Sequence, residues 1–409
     1  MALHAAPTAG LAAETAESSA VREAMQWFTR EKQWITEMQQ QVCRVPAPTF
    51  LEQQRAEWMA RELAVLGCAT RLDRAGNLIA LPQAASNRPL IAVTAHMDTV
   101  LAPRHRDDIS IDSEGRLRGP GVSDNGAGLA ALLAMAGAIQ ASGPPPSDAA
   151  ELVFVANVGE EGDGNLAGMR YLCRQSPLAS RIAAYLVLDG ASTEHITVRA
   201  LGSRRFDLTF SGPGGHSWND YGIGNPIHAL SRAISLFSDT QVDSSPRSSI
   251  NVGVVDGGAS VNSIPAQARA KIDIRSESNN NIEYLVARLQ QSVEQAQETE
   301  NRRSSGSKVT ALLQETGSRP AASLPERSEL LAFLRGVDAH LGIRSRLECS
   351  STDANVPLSM NRPALSIGAG GQGGGAHTPQ EWFSPEGRDL GLKRILLAVA
   401  LLMRFGAEN

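Results

Sequence analysis

Two adjacent carboxylates, Glu160 and Glu161, follow an apolar run in the sequence ELVFVANVGEEGDG, residues 151–164. The run from Leu152 to Val158 predicts a strand that is buried on both faces. Neighbouring side chains on extended backbone point in opposite directions, so one carboxylate could bind a metal ion while the other faces a different partner. Taken alone, the pair also fits a solvated turn. The residues at the ends of the other predicted strands distinguish between these alternatives.

Residues that commonly bind metals also follow the other predicted buried strands. His96 and Asp98 follow PLIAVTA, Asp124 lies in the next turn, Asp189 follows AAYLVL, and His377 follows PALSIGAG and several glycines. Each alone is typical of an ordinary turn or loop. The carboxyl ends of strands form the ligand-binding edge of open α/β sheets, so we expect these side chains to lie together, where so many carboxylates would require cations. Two histidines with carboxylates and no cysteine favour zinc, cobalt or manganese over calcium.

The elements that must position these residues alternate between strand and helix, which predicts an α/β fold with a mixed, mostly parallel sheet. The pattern changes near residue 197 to the order βαββαβ, which predicts an inserted ferredoxin-like domain over residues 197–317. The metal-binding domain is then discontinuous and comprises residues 1–196 and 318–409. Residues 1–20 are rich in Ala, Ser and Thr and are predicted to be poorly ordered. One helix is predicted from about Val21 to Val42.

The composition argues against several classes of protein. The net charge is −5 and the chain has no basic stripe, which disfavours nucleic acid as a partner. The longest apolar run, ILLAVALLM at 395–403, is far shorter than the ~20 residues that span a bilayer and predicts a buried helix. The N-terminus lacks the apolar segment of a signal peptide. Four scattered cysteines fit a reducing compartment, so we expect a soluble, cytoplasmic protein with no membrane partner.

Taken together, the motifs resemble those of the M20 family of co-catalytic metallopeptidases. That family includes tripeptide aminopeptidases, dipeptidases, glutamate carboxypeptidases and N-acyl amino acid deacylases. The matching segments are HMD at 96–98, GPGVSDNGAG at 119–128, EEG at 160–162, Asp189, GGAH at 374–377, GPGGHSW at 212–218, VNSIP at 261–265 and DIR at 273–275. The resemblance covers nearly the whole chain after residue 20. It implies a peptidase-T-like catalytic domain of the zinc-exopeptidase type and a homodimer formed through the insertion, which would act as lid and dimerisation domain.

The resemblance also implies two divalent metal ions per chain, for which Zn²⁺ is expected and Co²⁺ or Mn²⁺ are alternatives. By this resemblance Asp124 bridges the two ions. His96 and Asp189 complete one site, and Glu161 and His377 complete the other.

Further roles follow from the same resemblance. Glu160 is the general base, which takes a proton from the metal-bridging water and returns it to the leaving amine. Asp98 holds the His96 ring by its far nitrogen. In the insertion, His216 stabilises the oxyanion. Asn262 and Arg275 are expected to anchor the substrate carboxylate or amide.

The implied reaction is hydrolysis of peptide or amide bonds in short peptides by an aminopeptidase- or dipeptidase-like exopeptidase. Within the family, Asp at the position of Asp189 accompanies aminopeptidases and dipeptidases, whereas Glu accompanies carboxypeptidases and deacylases. An N-acyl amino acid amidohydrolase or a carboxypeptidase is the alternative, and the intact Glu160 argues against a non-catalytic scaffold. The resemblance also predicts a cis peptide bond between Asp124 and Asn125. Glu381 is predicted either to orient a ligand or to cap the last helix.

Overall fold

The computed structural model describes residues 5–82, 86–242 and 244–406 and divides the chain into two units. The main unit comprises Met1–Ala200 and Ser323–Asn409, and the insertion unit comprises Leu201–Ala322. The predicted boundaries, at 196/197 and 317/318, lie a few residues earlier in the chain.

Helices and strands are numbered along the whole chain. The helices of the main unit are α1 (Ala5–Ala16), α2 (Ser19–Arg30), α3 (Lys32–Cys43), α4 (Gln53–Val65), α5 (Gly126–Ser142), α6 (Ala167–Arg174), α9 (Glu329–Leu341), α10 (Asn355–Ser359) and α11 (Arg388–Phe405), with short 3₁₀ turns at Arg106–Asp108 and Gly162–Gly164. The strands outside the insertion are β1 (Ala69–Leu72), β2 (Leu78–Leu81), β3 (Leu90–His96), β4 (Ser110–Ile111), β5 (Leu117–Arg118), β6 (Glu151–Asn157), β7 (Ile182–Leu188), β8 (His195–Ala200), β15 (Ala322–Ser323), β16 (Arg346–Ser350), β17 (Ala364–Ile367), β18 (Gln372–Gly374) and β19 (Trp382–Ser384). The insertion contains α7 (Pro226–Ser238), α8 (Asn279–Arg303), β9 (Gly202–Ser211), β10 (Gly215–His216), β11 (Ser248–Gly257), β12 (Ser263–Ile264), β13 (Gln267–Ser276) and β14 (Thr310–Arg319).

The main sheet has nine strands in the order β1-β2-β6-β3-β7-β17-β8-β15, with β16 paired to β8. Its centre is parallel, because β3 pairs in this sense with β6 and β7, and β7 with β17. Strands β3 and β6 are buried along their whole length, as expected for strands covered on both faces. His96, at the end of β3, lies opposite Asn157, at the end of β6. The predicted mixed, mostly parallel sheet is confirmed, and its carboxyl edge carries the residues considered below.

Two apolar helices, α5 and α11, pack against this sheet, and α11 confirms the prediction of a buried helix at 395–403. Helix α5 is buried continuously from Gly126 to Ile139, and α11 contains the apolar run predicted to form a buried helix. Among the described residues, none of the helices combines the length and the apolar character needed to cross a membrane.

The N-terminal part of the chain is more ordered than its composition suggests. The prediction of poor order for residues 1–20 is wrong for α1, and residues 1–4 lie outside the described residues. Alanine has the highest helix propensity, and α1 packs so closely on α9 that a Cβ on Gly336 would come within 2.6 Å of the Thr8 backbone. The single helix predicted over residues 21–42 is two helices, α2 and α3, which meet at Glu31 (φ −95°, ψ 23°).

The insertion unit has the predicted βαββαβ order of a ferredoxin-like domain. Its antiparallel sheet has the strand order β11-β13-β9-β14, and α7 and α8 pack against it. Residues such as Phe206, Phe210, Ile272 and Leu285 form its apolar core. Strand β11 lies at one edge of this sheet, and most of its residues are exposed.

Candidate metal centre

The five predicted metal ligands gather at the carboxyl edge of the main sheet. His96 ends β3, Asp189 follows β7, Asp124 precedes α5, Glu161 follows β6 by four residues, and His377 lies between β18 and β19. Their ligand atoms form two groups, His96 with Asp124 and Asp189, and Asp124 with Glu161 and His377. Within each group the atoms lie within 4.8 Å of one another, and Asp124 belongs to both groups.

The two oxygens of Asp124 face different histidines. Oδ1 lies 3.1 Å from His96 Nε2, and Oδ2 lies 3.1 Å from His377 Nε2. His96 Nε2 is also 4.0 Å from Asp189 Oδ1, and His377 Nε2 is 2.9 Å from Glu161 Oε1. Donor atoms spaced in this way are compatible with one ion about 2.0–2.2 Å from each member of a group. The arrangement therefore suits two cations that share Asp124.

The electrostatics of the cluster favour positive charge. Burial, reinforced by the charge of Asp124, raises the pKa of Asp189 well above its ordinary value. Burial also raises the pKa of Glu161 to about 7. Hydrogen bonding to Asp124 raises the pKa of His377 to about 9. Burial opposes ionisation of Asp124 as well, but the hydrogen bonds with His377 and His96 prevail and lower its pKa. Protons are thus retained here without a cation, and divalent ions would take their place.

The orientation of the two adjacent acids differs from the expectation. Glu160 and Glu161 each place a carboxylate oxygen within 4.8 Å of a ring nitrogen of His96 and of each other, so they share one centre and do not face different partners. Both acids lie beyond β6, which ends at Asn157, and Gly159, between the strand and the acids, adopts a φ of +64°. Glu160 is buried beside the candidate ligands.

Asp98 fixes the backbone of these two acids. Its Oδ1 accepts the N–H of Glu160 at 3.0 Å, and its Oδ2 accepts the N–H of Glu161 at 2.9 Å. His96 Nδ1 lies 3.0 Å from the main-chain oxygen of Asp98 and 3.5 Å from Oδ1. The His96 ring therefore lies beside both the carbonyl and the carboxylate of Asp98, and the role that the resemblance implies for Asp98 stays a prediction.

Glu381 holds the loop that carries Asp124. Its carboxylate accepts the backbone N–H groups of Gly121, Ser123 and Asp124, each at 2.8 Å. Of its two predicted roles, these contacts support the orientation of a ligand, because Glu381 lies outside α11. The peptide bond between Asp124 and Asn125 is cis, as predicted.

The sequence pattern did not predict Asp353, which is fully buried near the centre. Its Oδ2 accepts a hydrogen bond from Asn157 Nδ2 at 2.6 Å. Burial, with a further contribution from the charge of Glu160, raises the pKa of Asp353 to about 7. The signal in the sequence that could have identified Asp353 is that this carboxylate comes shortly after a strand, β16. Strand β16 is only half-buried or exposed, so it lacks the apolar run that marked the other strands.

His216 belongs to the insertion unit, where it is exposed in the short strand β10. Its Nδ1 lies 3.2 Å from the backbone N–H nitrogen of Trp218 and 3.3 Å from that of Asn219. Because Nδ1 accepts both bonds, the proton of the neutral ring resides on Nε2, which can act as a donor.

Asn262 and Arg275 are in the same unit but at different places. The carbonyl of Asn262 accepts the N–H of Ser217 at 3.0 Å, next to β10. Arg275 lies near the end of β13, where its Nε donates to Asp273 Oδ2 at 2.7 Å. The insertion therefore places Asn262, but not Arg275, beside the strand that carries His216. The predicted roles of these residues stay predictions.

Two family models match the chain. The model of a peptidase dimerisation domain matches residues 199–301, and the model of peptidase family M28 matches residues 77–215. Among curated proteins, a succinyl-diaminopimelate desuccinylase of Paracoccus denitrificans is 30% identical over 183 residues, which are 42% of this chain and 47% of the relative. The chain spans about half the length of the curated relatives it matches.

Solved structures match over most of the chain. A tripeptidase from Staphylococcus aureus has a TM-score of 0.75 and 19% identity, over 91% of this chain and 98% of that chain. The Bacillus subtilis YXEP protein, a dinuclear metal binding peptidase from the M20 family, has a TM-score of 0.65 and 14% identity, over 92% and 99%. At such identities these likenesses show the fold. Together with the motifs and the family models, they confirm the resemblance to the M20 family.

Proposed function

We propose that the chain is a di-metal exopeptidase that hydrolyses the peptide bonds of short peptides. The observation that carries this proposal is the position of Asp124, whose two oxygens face two separate groups of candidate ligands. Imidazole nitrogens combined with carboxylate oxygens suit Zn²⁺, with Co²⁺ or Mn²⁺ as alternatives. The proposal of two ions is further supported by the M20 relative named as a dinuclear metal binding peptidase.

The residues present fit two divalent ions. His96, Asp124 and Asp189 would hold one, and Asp124, Glu161 and His377 would hold the other. The raised pKa values of Asp189 and Glu161 support this assignment, since positive charge would restore their ionised forms. When bound, such ions lower the pKa of water and polarise the scissile carbonyl.

Glu160 is the general base in this proposal. Its carboxylate takes a proton from the attacking water as the water oxygen bonds to the carbonyl carbon. Glu160 then delivers that proton to the amide nitrogen as the C–N bond breaks, which releases an amine and a carboxylic acid that gives up its remaining proton to solvent. The two backbone bonds to Asp98 support this role, because they fix the position from which Glu160 reaches the water.

In the insertion unit, His216 would donate its Nε2 proton to the oxyanion, and Asn262 and Arg275 would bind the substrate's amide or carboxylate. The match to a peptidase dimerisation domain supports a homodimer formed through this unit. The four cysteines of the chain are free thiols, which supports a cytoplasmic location.

Deacylation of N-acyl amino acids is the second candidate, favoured by the relative named as a desuccinylase. Both reactions break an amide bond, and they differ in whether the substrate has a free amine or an acyl group. The residue Asp189 favours the exopeptidase over the deacylase.

A substrate panel tests both candidates. Purified protein is loaded with zinc, cobalt or manganese and assayed on dipeptides, tripeptides and N-acyl amino acids. We expect turnover of free-amine peptides. Cleavage of N-acyl amino acids alone would select the deacylase, and the absence of turnover with every metal and both substrate classes would refute the proposed chemistry.

A further inference from the structure

Three polar side chains at three-residue spacing, Thr49, Glu52 and Arg55, lie against the ends of β3 and β6 from outside the sheet. They belong to the segment that leads into α4 and to its first turn. Glu52 and Arg55 are buried, with 6% and 0% exposure. The chemistry proposed above uses none of the three, so the burial of Glu52 and Arg55 at this edge requires another explanation.

The carboxylates of Asp98 and Glu52 connect the segment before α4 to the backbone that carries Glu160 and Glu161. Thr49 Oγ1 donates to Asp98 Oδ2 at 2.9 Å, and Glu52 Oε1 accepts the N–H of Gly159 at 3.0 Å. Because Asp98 also accepts the next two N–H groups, three consecutive backbone donors, residues 159–161, all point at buried carboxylates. Glu52 and Asp98 together therefore determine the path of the backbone that presents the catalytic base and its neighbouring ligand.

Arg55 and the backbone anchor the same segment. Arg55 Nη1 donates to the carbonyl of Met97 at 2.6 Å, and its Nε and Nη2 donate to the carbonyl of Val45. The N–H of Thr99 donates to the carbonyl of Ala47 at 3.0 Å. The guanidinium thus binds carbonyls on both sides of the contact, while its charge attracts the carboxylates of Asp98 and Glu52.

We propose that Thr49 and Glu52 are positioning residues of the metal centre, which hold Glu160 and Glu161 in place through Asp98 and Gly159. This role rests on the proposed function, since it is defined by metal binding and turnover. Misplacing a reacting group by about 1 Å can cost about 100-fold in rate. Loss of the groups that orient metal ligands typically costs about 10–100-fold in metal affinity or activity.

The Thr49→Val and Thr49→Ser variants test the role of Thr49, since valine keeps the shape and serine keeps the hydroxyl. Thr29→Val is the matched control, because Thr29 is exposed and its hydroxyl lies 3.5 Å from the carbonyl of Met25 in its own helix. Zinc alone is titrated first, in competition with a chromophoric chelator. Values of kcat and KM follow, on a peptide that the wild type cleaves. The unfolding midpoint of each metal-free variant is recorded, and Thr49→Ala replaces Thr49→Val if valine disturbs folding.

We expect Thr49→Val to bind at least one zinc ion about tenfold more weakly and to lose about tenfold in kcat. Its KM should stay within about twofold, because the proposed role of Thr49 is to orient Asp98 and not to bind substrate. Thr49→Ser and Thr29→Val should match the wild type.

Wild-type zinc affinity and kcat in Thr49→Val would overturn this role while leaving the proposed function intact. A Thr49→Ser variant as impaired as Thr49→Val would also overturn it, because the hydroxyl would then not be the group that matters. If the wild type binds zinc but cleaves no substrate, the proposed function fails and the zinc titration still decides the role of Thr49. If the wild type binds no divalent ion, both fail.

Discussion

Replacing Glu381 with glutamine would show how strongly the loop around Asp124 depends on one buried carboxylate. The Glu381 side chain is 3% exposed and accepts three backbone N–H groups, from Gly121, Ser123 and Asp124. A glutamine oxygen could still accept the N–H groups of Ser123 and Asp124. Its NH₂ group would then face the N–H of Gly121, and one buried donor would lose its acceptor.

The expected loss of stability follows from these three bonds. A buried N–H without a partner costs about 1–3 kcal/mol, and each remaining bond weakens by about 1 kcal/mol when its acceptor loses its charge. A neutral amide costs less to bury than a carboxylate, which offsets part of this loss. We expect the free energy of unfolding of the metal-free protein to fall by about 2–4 kcal/mol, which lowers the unfolding midpoint by roughly 3–7 °C in a unit of this size.

Thermal unfolding of the metal-free protein, followed by circular dichroism, measures this effect. Glu386→Gln is the matched control, because Glu386 is exposed and lies five residues further along the chain. Zinc affinity, measured by chelator competition, should fall about 10–100-fold in Glu381→Gln and stay unchanged in the control. A Glu381→Gln protein with the midpoint and zinc affinity of the wild type would mean that other contacts hold the loop.

Three further predictions concern separate parts of the molecule. Glu160→Gln should lower kcat by about 10²–10⁴-fold while metal analysis still finds both ions, and loss of the metal would contradict its assignment as the base. In the insertion unit, burial opposes the ionisation of Glu300, but hydrogen bonding to Arg303 prevails and lowers its pKa. Its carboxylate therefore stabilises the fold fully above the unfolded pKa of about 4.3, and this contribution disappears as the pH falls through the lower folded value. In urea unfolding, Glu300→Gln should be about 3 kcal/mol less stable than the wild type at pH 7, and this difference should be smaller at acidic pH. An equal difference in stability at neutral and acidic pH would refute the link between the ionisation of Glu300 and the stability of the unit. Asp338→Asn should cost about 3–5 kcal/mol by chemical denaturation, because Asp338 binds the fully buried Arg394 through two bonds of 2.6 and 2.7 Å. The control is Asp389→Asn, which breaks ion pairs with Lys32 and Lys393 nearer the surface and should cost less than about 1 kcal/mol of stability. Similar losses of stability in Asp338→Asn and Asp389→Asn would show that burial of the ion pair does not determine its contribution.

The sequence could predict that the candidate ligands lie together, because most of them follow an apolar run and the carboxyl ends of parallel strands share one edge of a sheet. His96 and Asp189 come at the ends of buried strands, and the parallel pairing of β3 and β7 brings such ends to one edge. The supporting contacts could not be predicted in this way. Glu381 meets Gly121 across 260 residues of sequence, and Asp353 meets Asn157 across 196. Periodicity carries no information about such pairs.

Two errors of the sequence analysis have causes that the structure shows. The alternation expected for Glu160 and Glu161 assumed that β6 continues to these acids, but the strand ends at Asn157 and Gly159 has a left-handed conformation, which a pattern of apolar residues does not reveal. The Ala-rich N-terminus forms α1 because α9 offers a surface on which it packs, and that surface lies more than three hundred residues later in the chain. Composition alone gave no sign of this partner.

The strand order of the main unit also sets an order of assembly during synthesis. Strand β17 lies between β7 and β8, although both of those strands precede the insertion and β17 follows it. The insertion is continuous in sequence, so all of it has been synthesised while the main sheet still lacks a central strand. Because domains generally fold as units during synthesis, we expect the insertion to fold first. His377 follows β17, so metal capture would be one of the last events in the maturation of the chain.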